Sequence, residues 1–164
     1  MWREMDPEFS RIEDNIIWDP DTPDSEKFSE RQRNEILEAL AEVWIKSPAG
    51  RIVLDRYLDN SLTINATNEG STGAPRKDRI NISPFTLEEG SFYIGLYGQI
   101  ITSRPFVVLM HELVHTNADI GFIDPTTLDF SDPNFDYTGK TVEYTNIIIN
   151  QVDGNSDNIR LSYF

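Results

Sequence analysis

The sequence predicts an α+β domain in which a small sheet packs on a central helix, with further helices around them. Three observations carry that expectation. Residues 29–46 place Ile36, Leu37, Leu40, Ala41, Trp44 and Ile45 at helical spacing. Residues 62–67 and 79–83 alternate apolar and polar side chains, as half-buried strands do. The apolar run Phe106-Val107-Val108-Leu109-Met110 leads straight into His111-Glu112-Leu113-Val114-His115, which suits a helix buried through the middle of a domain.

The elements follow in chain order. Residues 1–27 are rich in Asp, Glu and Pro and read as an irregular arm, pinned to the body by Ile16, Ile17 and Trp18. Within it, residues 5–9 read as a vector-derived remnant. Residues 28–164 read as one domain. After the first helix, Ser47 and Pro48 form an N-cap and a proline at the first helical position. The second helix runs to about residue 58, with Ile52, Val53 and Tyr57 inward. A strand at 62–67 is followed by a Gly/Ser/Pro-rich turn at 69–75 and a second strand stopped by Pro84. Residues 91–95 form a third strand or a loop. The motif helix opens on Pro105, with Ser103 or Arg104 at its cap, and ends near Gly121, a residue suited to the left-handed step after a helix. Residues 121–140 are a long acidic loop with two Asp-Pro steps, of the kind that serves as a lid or binding loop. A last helix covers 141–152, and a tail runs to Phe164.

Composition narrows the function. The net charge is −14, and no basic cluster exceeds Arg76-Lys77-Asp78-Arg79, which argues against nucleic acid and anionic membrane as partners. No apolar run is long enough to span a bilayer, and the N-terminus lacks a signal-peptide core, so export would use another signal. The chain has no cysteine. Disulfides and Cys-ligated zinc are therefore excluded, and His plus carboxylate remains as the metal-ligand set.

The motif uses both histidines of the chain. Positions i and i+4 lie on one helix face, so two imidazoles can bind one zinc ion from the same side. Glu112, beside the first of them, is placed to act on a zinc-bound water as general base. The chemistry this predicts is metal-assisted hydrolysis, most simply of a peptide bond. A catalytic zinc also needs a third protein ligand. Asp119 lies too far along a continuing helix, unless that helix breaks early. Asp124, Asp129, Asp132 and Asp136 lie in the predicted loop, which offers no rigid support. Glu143, in the first turn of the last helix, is favoured because a rigid element holds a ligand better than a loop.

His111 to His115, with Glu143-Tyr144-Thr145 downstream, resembles the NleD-like zinc metallopeptidases. These are gluzincin-type enzymes found as type III effectors of bacterial pathogens and as toxin domains of larger secreted proteins. Ser47-Pro48-Ala49-Gly50-Arg51, the strand at 62–66, Arg104-Pro105 and the closing Arg160-Leu161-Ser162-Tyr163 also fit, so the resemblance spans residues 30–164. One departure stands out: Asn150-Gln151-Val152 leads into Asp153 where the family pattern has an arginine.

The resemblance implies a zincin-like fold and a monomeric, secreted or translocated protease acting in virulence or as a toxin. It implies one catalytic Zn2+ and a protein substrate, with host signalling kinases of the MAP-kinase class as the family's targets. Tyr163 is the first candidate for the donor that stabilises the oxyanion, and Tyr144 the second. Arg160 is a candidate substrate contact, and Asn150 a candidate for orienting a ligand. The alternative reading is a zinc-binding interaction module without catalysis, which would have no use for Glu112.

Overall fold

The computed structural model describes residues 1–74, 78–88, 91–95, 97–117 and 140–154. Helix α1 (Phe9–Asp14) and strand β1 (Ile16–Trp18) come first, then α2 (Glu30–Lys46) and α3 (Pro48–Asp55). Strands β2 (Leu62–Ala66), β3 (Thr72–Ala74) and β4 (Arg79–Ile82) lead to the short helix α4 (Pro84–Glu88). Strands β5 (Ser91–Ile94) and β6 (Ile100–Ser103) precede α5 (Pro105–Thr116), and α6 (Lys140–Asp153) is the last described element. No helix among the described residues is long and apolar enough to cross a membrane.

The first two large helices form where the sequence directs them. Ser29 and Gln32 exchange side chain and backbone hydrogen bonds in a capping box, which starts α2. Its stripe of Ile36, Leu37, Leu40, Ala41 and Trp44 is buried, with Val43 added and Ile45 half-buried. Ser47 closes α2 and opens α3, its hydroxyl accepting the Gly50 N–H at 2.9 Å. A Cβ on Gly50 would stand 2.2 Å from Val43 Cγ1, so only glycine lets α2 and α3 meet this closely. Ile52 is 62% exposed, contrary to the inward position expected of it. The buried face of α3 is Ala49, Gly50, Val53 and Leu54, and Ile52 falls outside that arc.

The main sheet has the order β1-β2-β4-β3. Strands β1, β2 and β4 are parallel, and β3 pairs antiparallel to β4 at the edge. Parallel neighbours need a crossover connection, and α2 with α3 supplies it between β1 and β2. Strands β5 and β6 form a separate antiparallel hairpin. Helix α5 touches β3 and β4 of the sheet and also packs on α2, α3 and α6. It is apolar nearly all round and is the central helix of the fold. The architecture is α+β, as the sequence predicts.

Several short elements differ from the sequence expectation. The turn expected at 69–75 contains β3, β6 was not anticipated, and Pro84 starts a helix rather than merely stopping a strand. The N-terminal arm is structured rather than irregular. Its strand β1 joins the sheet with Ile16 opposite Leu62. Phe9 and Ile12 are wholly buried in the core. Asp6, in the stretch read as a vector remnant, accepts from Trp44 Nε1 at 3.0 Å and Arg51 Nη2 at 2.8 Å. Asp19 closes the arm: it is wholly buried, sits at φ 49°, and accepts the Ala66 and Phe28 N–H groups at 2.6 and 3.0 Å. Asp tolerates this left-handed backbone, and both hydrogen bonds reward it.

Because Phe9 is a full member of the core, Phe9→Ala should cost about 3–5 kcal/mol. In a domain of this size that lowers the thermal midpoint by roughly 6–20 °C. A calorimetric scan checks it, and an unchanged midpoint would show that the arm does not contribute to the core.

Candidate functional site

The motif helix is held at both ends. Pro105 occupies its first turn after the extended Arg104. The Arg104 guanidinium reaches Glu42 on α2 at 2.5 Å and Asp153 on α6 at 2.6 Å. One side chain thus ties three helices together, and Asp153, the departure from the family pattern, has a structural partner. At the other end, Thr116 Oγ1 donates to the Leu113 carbonyl and lies 2.8 Å from the buried Tyr57 hydroxyl. That hydroxyl also lies 3.1 Å from Asp78 Oδ1. Burial raises the Tyr57 pKa well above its ordinary value, so the phenol remains a neutral hydrogen-bonding group.

Tyr57 is therefore a positioning residue for α5. Tyr57→Phe leaves buried polar partners behind and should cost about 1–3 kcal/mol. Chemical denaturation measures this, and an unchanged stability would remove the proposed tie.

Helix α5 stops one residue beyond His115. Asn117 is extended, at φ −77° and ψ 118°. The expected end near Gly121 is thus corrected: the backbone leaves the helical region at Asn117, just past Thr116, whose side chain is tied to Leu113 and Tyr57. This matters for the metal, because the geometric objection to Asp119 assumed a continuing helix.

His111 and His115 lie one turn apart, with ring centroids 5.1 Å apart and planes at 82°. Glu112 is buried at 8% exposure. His111 and Glu112 line one cleft of about 390 Å³. Three elements wall it. Val107 and Val108 continue from the histidine along α5. Val142, Thr145, Asn146 and Ile149 form a stripe on α6 at i, i+3, i+4 and i+7. Phe92, Tyr93 and Ser103 close it from the β5–β6 hairpin.

The other expected site residues fall elsewhere. Glu143 is exposed on the first turn of α6 and does not line the cleft. Tyr144 donates its hydroxyl to the Ala49 carbonyl at 2.7 Å, on the opposite side of α6 from the cleft stripe. There it clamps α6 to α3, and burial raises its pKa. Gln151 strengthens that clamp, accepting from Ser47 Oγ at 2.6 Å and Ala49 N–H at 3.0 Å. Asn150 is exposed and outside the cleft. Arg160, Tyr163, Asp119 and the acids of the 121–140 loop lie outside the described residues. Sequence reasoning missed the cleft face of α6, Asn146 above all. The spacing of Val142 and Ile149, seven residues apart on the predicted last helix, is the signal that could have found this face.

The two imidazoles and the buried Glu112 suit a zinc centre by donor type and by position on one helix face. Among the described residues no third His, Cys, Asp or Glu is gathered with them. Among the described residues the chain therefore offers two candidate ligands and a neighbouring carboxylate rather than a complete ligand set.

Helix, hairpin and cleft together make an α+β arrangement that a solved structure shares. The solved structure of the Salmonella zinc metalloprotease effector GtgA is similar to this one, with a TM-score of 0.62. The likeness covers 96% of this chain and 82% of that one, at 20% identity, and so it establishes the fold. No protein-family model matches the sequence. No curated protein matches it either.

Proposed function

We propose that this chain is a zinc-dependent endopeptidase that acts, as a secreted or translocated effector, on a protein substrate. The observation that carries the reading is the shared cleft of His111 and Glu112, with His115 one turn beyond, in a chain with a metalloprotease effector's fold. The NleD-like resemblance of residues 30–164 supports the same class of enzyme and offers host signalling kinases as the substrate class.

In this reading His111 and His115 hold the metal, with a carboxylate as third ligand. When bound, zinc supplies the Lewis acidity that brings water's pKa towards neutrality. Glu112 accepts the proton of the attacking water at its carboxylate and returns it to the leaving amine. Its neighbour His111 fixes the face on which this happens, and the walls of α6 and the hairpin hold the substrate beside it. Tyr163 is proposed as the oxyanion donor and Arg160 as a substrate contact, on the resemblance alone.

The test is metal dependence. Purified protein should carry one zinc per chain by elemental analysis. A chelator should abolish cleavage of proteins in a cell lysate, and added zinc should restore it. Protein that binds no zinc, or that cleaves equally well after chelation, would overturn the proposal.

A further inference from the structure

An acidic protein would be expected to favour basic residues beside the cleaved bond. The described lining of the cleft favours a different side chain. From His111 towards the start of α5 its walls are Val107 and Val108, faced by Val142 and Ile149 on α6. Phe92, 68% exposed, stands at the hairpin side. Among the described residues lining it, Glu112 is the one carboxylate, and no Lys or Arg is present. Among the described residues, a lysine or arginine entering here would find a charged partner only in the carboxylate that the reaction uses. Burying a charge without a committed partner is costly. An aliphatic or aromatic side chain loses nothing by entering and gains by leaving water. The volume of about 390 Å³ is small for a ligand site, and suits a side chain or two rather than a folded surface.

We infer that this cleft is the enzyme's specificity pocket, selecting an apolar side chain at a residue flanking the cleaved bond. Val142 and Ile149 set its depth from α6. The inference rests on the peptidase reading of the site. It adds that selection at the bond comes from these walls and not from the net charge. Thr145 and Asn146 occupy the same α6 face and provide the polar edge against which the substrate backbone can lie.

The experiment digests a peptide library made from a proteome with a glutamyl endopeptidase, so that lysine and arginine remain internal. Zinc-loaded wild-type protein and Glu112→Gln are compared, and a native lysate is digested in parallel. Cuts seen only with wild type should show Leu, Ile, Val, Met or Phe enriched at one of the two flanking positions. In a synthetic series varying only that position, Leu should exceed Lys in kcat/KM by at least about 10-fold, the lower worth of a single methylene in an apolar pocket.

Ile149→Ala should enlarge the pocket and move the preference towards Phe and Tyr, and Val108→Phe should move it towards Ala. The wild-type series decides the matter even if a variant fails to fold. Glu112-dependent cuts that favour basic or acidic residues, or no residue, would overturn the pocket while leaving the peptidase reading intact. Zinc-loaded protein that makes no Glu112-dependent cut in library or lysate would overturn the peptidase reading, and the pocket with it.

Discussion

His115→Ala should lose its zinc on purification, and its cleavage activity should fall by more than about 100-fold. Groups that merely orient metal ligands are worth about 10–100-fold, so removing a ligand should exceed that. His111→Ala should behave alike, because the two rings occupy one face of α5. Glu143→Ala and Asp119→Ala test which carboxylate completes the ligand set. Glu143 lies on the rigid first turn of α6, and like His115 it stands outside the lining of the cleft. Zinc kept by Glu143→Ala and lost from Asp119→Ala would move the third ligand to the segment that follows α5, which ends at Thr116. Elemental analysis of the four variants reads the result. Zinc lost from Glu143→Ala and kept by Asp119→Ala would uphold the assignment made from the sequence.

Glu112→Gln should keep stoichiometric zinc while kcat falls about 10²–10⁴-fold, the usual worth of a positioned acid–base group. Glutamine preserves the size and much of the hydrogen bonding of the buried side chain but cannot take up a proton. The variant therefore separates chemistry from folding. A variant with near-normal kcat would mean that the base lies elsewhere. Loss of zinc alongside activity would mean that Glu112 serves the metal and not the proton.

The large periodic elements were legible in the sequence. Helix α2 carries its apolar residues in a clean stripe, and the helix that bears the motif runs from Pro105 as the proline and the apolar run indicate. What escaped is what periodicity cannot reach. Strands β1 and β3 have three residues each, too few for an alternating pattern. The charged composition of the arm concealed Phe9 and Ile12, which only the tertiary fold shows to be core.

The site divides along the same line. His111, Glu112 and His115 were legible because their spacing alone puts them together on a helix. Glu143 was favoured because a rigid helix holds a ligand, and Tyr144 because it stands beside Glu143; helix phase places neither in the lining of the cleft. The phase of α6 is set by Gln151 and Tyr144 docking on the turn between α2 and α3, a contact about a hundred residues away in sequence. No local pattern announces such a contact. The same holds for Asp153, whose meaning as Arg104's partner appears only when α5 and α6 are side by side.

The most direct measurement of the central claim compares wild-type protein with Glu112→Gln, both zinc-loaded, in host-cell lysate, and identifies new peptide termini by mass spectrometry. Wild type should generate a small set of termini from a few proteins, and the variant should generate none of them. Identical termini in both samples, or none in either, would contradict a zinc endopeptidase that uses Glu112 as its base.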